Sequence, residues 1–180
     1  MALKATIFKA ELEVSDLDRQ HYASHVLTLA RHPSETDERM MVRLLAFALN
    51  ADEALTFTRG LSTDDEPALW RMELGGEIAV WIEVGQPEER RIRRACGRAG
   101  RVIVYSYGGR AADLWWAQNA PALSRLENLT VIDIPAVAVT ELGRLAQRNM
   151  RLSCTVQEGQ VWLSDGERTI EIQPAVRMGG

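Results

Sequence analysis

Lysine is nearly absent: of 21 Lys and Arg residues in the 180-residue chain only two, Lys4 and Lys9, are Lys. Any chemistry that needs a lysine ammonium is therefore confined to the first ten residues. Cysteine is equally scarce. Cys96 and Cys154 are the two thiols, too far apart for a metal or redox spacing, so a disulfide framework is excluded and reduced structural thiols are expected. Long apolar runs are missing, and none approaches the ~18 residues of a membrane span. The segment Met1–Ala10 lacks the continuous apolar stretch of a secretory signal, which leads to the expectation of a cytoplasmic protein with no membrane partner. The formal net charge is −4, so the chain as a whole is no polyanion binder. What remains is ordinary: 46% hydrophobic and 26% charged residues, enough for a buried core without a metal or disulfide staple. A single domain over 1–180 is expected.

Hydrophobic periodicity gives the elements. Thr6, Phe8, Ala10, Leu12 and Val14 alternate, which predicts a long half-buried strand. Asp16 or Asp18 is placed to cap a helix running to about Arg31, with Tyr22, Val26 and Leu29 on one stripe. His32-Pro33 breaks the chain. Ser34 then serves as N-cap, with Asp37 at the third position, for a helix from Glu35 to about Asn50. A short strand near Leu55–Phe57 follows. The pattern then predicts strands Ala68–Leu74 and Glu77–Val84, a helix from Pro87 to about Gly97, a strand Arg101–Tyr107 and a helix holding Trp115 and Trp116. Strand Leu129–Ile134 and a short helix Val139–Gln147 come next. Three short strands, Leu152–Val156, Gln160–Leu163 and Thr169–Ile172, are joined by Glu158-Gly159 and Asp165-Gly166, which read as a C-terminal antiparallel meander. The fold class is mixed α/β (α+β): a central mixed sheet flanked by helices.

The chemistry concentrates at Gly75-Gly76, a two-residue hairpin signal. With that turn, Leu74 faces Glu77 and Trp70 faces Trp81. Glu66, Ala68, Trp70, Trp81 and Glu83 then share one face, with Glu66 and Glu83 as diagonal neighbours. Asp65 lies just beyond, and Gln86 follows the second strand. Glu83 interrupts an apolar run, so its carboxylate needs a partner. Converging oxygens without histidine suit Mg²⁺ or Mn²⁺. The alternative is a salt bridge to an arginine of the next helix. On that helix Arg90, Arg94 and Arg98 recur every four residues, while Arg91 points elsewhere. Acids to hold metal beside arginines to hold phosphate fit metal-assisted phosphodiester chemistry. A solvated face paired with Glu88 and Glu89 is the simpler reading of the same stripe.

Other signals are weaker. Tyr107-Gly-Gly-Arg110 could offer helix N-terminal amides to phosphate. Trp115-Trp116 could stack on bases, and reads more simply as core or interface. His21, His25 and His32 form a possible ligand set without a partner at zinc spacing. Ser62 and Ser106 sit in no nucleophile elbow.

Several strings taken together resemble the bacterial YaeQ family. They are Met1-Ala-Leu-Lys-Ala-Thr-Ile, Leu29-Ala-Arg-His-Pro-Ser-Glu-Thr, Glu38-Arg-Met-Met, Phe57-Thr-Arg-Gly-Leu, Asp64-Asp-Glu-Pro67, Trp81-Ile-Glu-Val-Gly, Glu88-Glu-Arg-Arg-Ile92, Trp115-Trp116 and Trp162-Leu-Ser-Asp165. The resemblance implies a restriction-endonuclease-like fold of the PD-(D/E)xK nuclease superfamily. Asp65 or Glu66 would fill the first acidic position and Glu83 the second, with a further acid from the preceding helix, Glu38 or Glu35. It departs from the motif at the lysine, where Gly85 stands. Gln86, or Arg90 or Arg94, would have to substitute, and arginine cannot act as a base. Two expectations follow. In one, Glu38, Asp65, Glu66 and Glu83 hold Mg²⁺ or Mn²⁺, Gln86 orients a water, and Arg90 and Arg94 contact nucleic acid phosphate. In the other, catalysis is lost and the fold binds nucleic acid or protein.

Overall fold

The structure, a computed structural model, describes residues 4–59 and 65–180. Asp64 and Ser62 of the sequence reading lie outside them. The described residues form eleven strands and four helices, arranged in two compact units of mixed α+β character, each with its own mixed sheet. The one central sheet expected from the pattern is thus two sheets.

The first unit comprises residues 1–51 and 137–174. Its sheet has the order β10-β9-β8-β1-β2. Strand β1 (Thr6–Asp16) buries Phe8, Ala10, Leu12 and Val14, as the alternation predicts. Residues His21–Arg31 correct the sequence reading, for they form strand β2 rather than a helix. Leu27 and Leu29, two residues apart, are the buried pair, facing Ala10 and Phe8 across the antiparallel ladder. Tyr22 and Val26, expected on a helical stripe, are exposed. The aspartates that looked like caps make turns instead, a competing use of the same side chain. Asp16 accepts the Arg19 N–H at 3.0 Å, and Asp18 accepts the N–H groups of Glu158 and Gly159 at 2.7 and 2.9 Å.

Helix α1 (Asp37–Leu49) starts two residues later than expected, capped by Thr36, whose Oγ1 accepts the Arg39 N–H at 3.1 Å. It buries Met41, Leu44, Leu45 and Ala48 as expected. Glu35, ahead of the cap, is buried against Arg43, which donates to it through Nε at 2.9 Å and through a terminal nitrogen at 2.6 Å. Arg39 donates to the same carboxylate. Bidentate pairing of this kind offsets the desolvation of both charges.

Strands β8 (Asn149–Gln157), β9 (Gln160–Ser164) and β10 (Thr169–Ile172) form the expected meander. Glu158 and Gly159 have φ of 51° and 76°, both positive as a tight two-residue hairpin requires. What periodicity could not show is that β8 lies parallel to β1.

The second unit comprises residues 52–136 and 175–180, with sheet order β11-β7-β6-β5-β4-β3. Strands β3 (Leu55–Phe57), β4 (Leu69–Met72) and β5 (Ile78–Val84) run antiparallel in sequence. Strands β5, β6 (Ala99–Tyr107) and β7 (Leu129–Ile134) are parallel, joined by helices α2 (Glu89–Arg98) and α3 (Arg110–Leu123), as parallel neighbours demand crossover connections. Trp81, Val102, Val104 and Val131 pack with Ile92 and Ala95 of α2 and Trp115 and Leu123 of α3. Trp115 is core, as read from sequence, and its indole N–H donates to the Pro87 carbonyl at 2.8 Å. Helix α4 (Ala136–Arg144) begins three residues earlier than expected. The last strand, β11 (Ala175–Met178), gave no sequence signal; it pairs antiparallel with β7.

Replacing Arg43 by Ala should destabilise the protein by somewhat less than the ~3–5 kcal/mol of a fully stranded buried charge, because Arg39 still pairs with the Glu35 carboxylate. Urea unfolding of Arg43→Ala and of Arg43→Ala/Glu35→Leu checks this. The double variant should recover part of the loss, since the buried carboxylate is then gone and the one charge left without it, Arg39, is partly exposed.

Candidate functional site

The hairpin carries the site. Trp70 faces Trp81, as the register arithmetic predicts, and their rings meet edge to face with centroids 6.2 Å apart. The turn itself differs from the two-residue expectation. The Glu73 N–H bonds the Glu77 carbonyl at 2.8 Å, leaving Leu74, Gly75 and Gly76 as the loop. Between Arg71↔Val80 and Met72↔Ile78 the ladder steps by one residue. A bulge at Ala79 thus absorbs the longer turn and restores the pairing of the tryptophans. At the open end a second irregularity appears. The Ala68 N–H donates at 3.0 Å to the carbonyl of Ile82, which already faces Leu69. The regular ladder that would align Glu66 with Glu83 does not continue past Leu69.

Glu83 is only 5% exposed. Its Oε1 accepts two hydrogen bonds of 2.8 Å, from the Trp81 indole N–H and from Arg91 Nε. Arg91 also donates at 2.6 Å to the Glu66 carbonyl. One guanidinium therefore ties helix α2 to β5 and to the segment leading into β4. Arg91 is the residue the sequence reading set aside. Its signal was its place one turn before Ala95 and beside Ile92, the buried residues of α2; an arginine on that row points inward, not to solvent.

The remaining candidates are spread around this tie. The Glu66 carboxylate accepts the Arg59 N–H at 3.2 Å. Asp65 is exposed, and Arg94 approaches it at 3.7 Å. Arg98 donates at 3.2 Å to the Asp65 carbonyl and lies 5.1 Å over the Trp81 ring, a cation–π contact. Gln86 ties the ends of two strands, donating to the Tyr107 carbonyl at 2.8 Å. Arg93 pairs with Glu89. Arg90 is exposed and, with Gln86, Pro87, Glu88, Arg91 and Arg94, lines a groove of about 580 Å³. Glu38 belongs to the first unit, in the first turn of α1. A Cβ built on Gly143 would stand 2.8 Å from its Cγ.

Among the described residues no three Asp, Glu, His or Cys side chains gather as ligands for one ion. In this arrangement Glu83 is held by an arginine and an indole, and the described acids offer Mg²⁺ or Mn²⁺ no converged donor set. Gly85 adopts a backbone conformation that favours glycine. Its φ of 106° lies where L residues are strained, although a Cβ there would meet nothing within 4 Å.

The carboxyl ends of the parallel strands carry more polar groups. By register, Glu83, Ser106 and Asp133 share the face that bears Trp81, Val104 and Val131. Ser106 is buried and donates to Asp133 at 2.8 Å. Arg177 of β11 stands 3.6 Å from Asp133 and pairs with Asp113. Burial pushes the Asp133 carboxyl above the usual carboxylate range, with Ser106 and Arg177 pulling it back. Burial likewise raises the Cys96 thiol to about 11 and, with the Asp16 charge, the Cys154 thiol to about 12. Both stay protonated at neutral pH, consistent with structural cysteines.

Comparison with known proteins places this geometry. The family model described as "YaeQ protein" matches residues 1–174. The chain belongs to the YaeQ family. The "Uncharacterized protein YaeQ" of Salmonella typhi is 49% identical over 173 residues, covering 96% of each chain. Its Escherichia coli K12 counterpart is 48% identical over 172 residues, 96% of this chain and 95% of that protein. Among solved structures, the YaeQ protein of Xanthomonas axonopodis pv. citri aligns with a TM-score of 0.95 at 50% identity, covering 98% of this chain and 99% of that one. YaeQ of Pseudomonas syringae aligns at 0.94 and 39% identity, covering 98% and 97%.

Two variants test the site's construction. Glu83→Gln should destabilise the protein by about 1–3 kcal/mol, less than a fully buried pair because Arg91 is partly exposed. A double-mutant cycle with Arg91→Met, read by urea unfolding, should give a coupling energy of the same sign. A neutral or stabilising Glu83→Gln would mean that the carboxylate is not held by Arg91. Gly85→Lys should lower the melting temperature through backbone strain, since the space for its side chain is open; an unchanged melt would contradict the strained geometry.

Proposed function

We propose that this protein binds the phosphodiester backbone of nucleic acid through helix α2 and the mouth of the β4–β5 hairpin. We further infer a divergent scaffold of the PD-(D/E)xK type, in which Glu83 has become a structural acid. The observation that carries this reading is the partnership of Glu83. Arg91 and Trp81 satisfy the carboxylate, while Arg90 and Arg94 remain exposed along the groove beside it. Arginine suits that role because its planar guanidinium meets phosphate oxygens in pairs. The overall charge of −4 leaves attraction to phosphate to this local patch, and contacts to backbone phosphates position a protein without reading sequence.

The nuclease reading keeps one support of its own. Asp65 and Glu66 stand at the mouth of the hairpin that bears Glu83, and Arg91 touches both Glu83 and the Glu66 carbonyl. For a metal to be held there, Arg91 would have to release Glu83. A divalent cation, once bound, would supply a water of lowered pKa. Gln86 could orient that water only by leaving Tyr107.

One set of assays separates the two. Gel shifts with single-stranded DNA, duplex DNA and RNA, run in EDTA over a salt series, should show binding that weakens with salt. Arg90→Ala/Arg94→Ala should cut affinity about tenfold or more at low salt and flatten the salt slope by roughly one to two units. No binding to any of the three at low salt overturns the proposal. In parallel, incubation with Mg²⁺ or Mn²⁺ should leave the substrates intact. Cleavage that requires the cation and disappears in Glu83→Gln, with Gln86→Ala weaker than wild type, would restore the catalytic reading.

A further inference from the structure

The first unit holds a side-chain pair that the nucleic-acid reading does not use. His21 and His25 project from the same face of β2, with the small Ala23 between them. Residues four apart on a strand are separated by about 13 Å along the backbone. Their imidazole Nε2 atoms nonetheless meet at 3.0 Å, with ring planes 13° apart and centroids separated by 5.3 Å. The rings therefore lean toward each other and meet nitrogen to nitrogen. His25 is braced edge-on by Phe47 of α1, centroids 5.2 Å apart. Both histidines are partly exposed. Across the ladder, His21 faces Asp16 and His25 faces Leu12. The Asp16 carboxylate is taken by Arg19, through its N–H at 3.0 Å and its guanidinium at 3.6 Å.

We propose that His21 and His25 form a two-imidazole site for a borderline divalent transition metal, with Cu²⁺ the best fit. Metal–imidazole bonds of about 2.0–2.1 Å, drawn from two nitrogens 3.0 Å apart, subtend roughly 90–100°. That is the angle between neighbouring ligands of a tetragonal or square-planar centre, the geometry of Cu²⁺ and Ni²⁺ with N and O donors. Copper also heads the affinity order of the first-row divalent ions for such donors. Without metal, one nitrogen donates its proton to the other. Metal binding would turn each ring about its terminal torsion, which is soft for histidine, so that both lone pairs meet one ion. No third His, Cys, Asp or Glu joins them among the described residues, so water fills the other positions. His32 lies apart from the pair, its Nδ1 engaged with Ser34 at 2.7 Å.

The test uses the full chain without an affinity tag, titrated with Cu²⁺ and followed by calorimetry and by electron paramagnetic resonance. Wild type should bind one equivalent with two equatorial imidazole nitrogens in the spectrum. Zn²⁺ should bind more weakly. His21→Gln should bind Cu²⁺ at least tenfold more weakly with one imidazole nitrogen or none. Its metal-free melt should match wild type, which separates ligand loss from unfolding. His32→Gln should bind as wild type does. Phe47 packs against the His25 ring, so His25→Gln is titrated at a temperature where its metal-free melt shows it folded, and it should lose Cu²⁺ to the same extent as His21→Gln. Equal Cu²⁺ affinity in wild type and His21→Gln, or a spectrum unchanged by His21→Gln, overturns the proposal.

Discussion

The Glu83–Arg91 pair is the constraint on which the candidate site depends. A carboxylate on a buried strand position has three outcomes: protonation, metal ligation or a counter-charge. Here a helix supplies the counter-charge, and the indole of Trp81 fills further acceptor capacity on the same oxygen. Because the arginine also grips the Glu66 carbonyl, one charge sets the spacing between α2, β5 and the approach to β4. The exposed arginines of α2 inherit their placement from this tie. Arg94 and Arg98 lean on Asp65, and Arg98 covers the Trp81 ring.

At Gly85 the chain takes a backbone conformation suited to glycine, and the next residue turns its amide to a neighbouring strand end. The region serves as a structural junction. Polar groups here hold strands and helices together, and the arginines pointing outward face solvent along a groove. Likeness to the Xanthomonas and Pseudomonas YaeQ structures covers nearly the whole chain.

Much of the fold is legible in the sequence wherever one face of an element is buried. The alternation of β1, the stripe of α1, the apolar run of β7 and the Glu158-Gly159 turn all declare themselves. The failure at β2 has a physical cause. Half of that strand carries polar and small residues on both faces, so period two and period 3.6 fit about equally, and Asp16 and Asp18 serve turns as readily as caps. Strand β11 is four residues long with only intermediate burial at its end, too short for a pattern. At the site, register arithmetic found Trp70 opposite Trp81 although the turn it assumed was wrong, because the Ala79 bulge cancels the extra loop residue. The same arithmetic fails beyond Leu69, where the ladder breaks ahead of it at Ala68. Arg91 was missed because a charge run looks uniform in sequence; only the burial of Ile92 and Ala95 singles out the arginine on their side.

The two units are not consecutive stretches of chain. Residues 52–136 interrupt the first unit, and residues 175–180 return to complete the second. Strand β1 finds its parallel partner β8 roughly 140 residues later. Synthesis must therefore pass Ile172 before the first sheet is complete and Met178 before the second is. Until then β1 and β2 form a lone hairpin, whose apolar face of Phe8, Leu12, Leu27 and Leu29 has only α1 to cover it. Pairing across such a separation requires closing a long loop before any contact rewards it. Nascent chains of this topology accordingly spend their synthesis with one strand edge open, a state in which intermolecular pairing competes with folding.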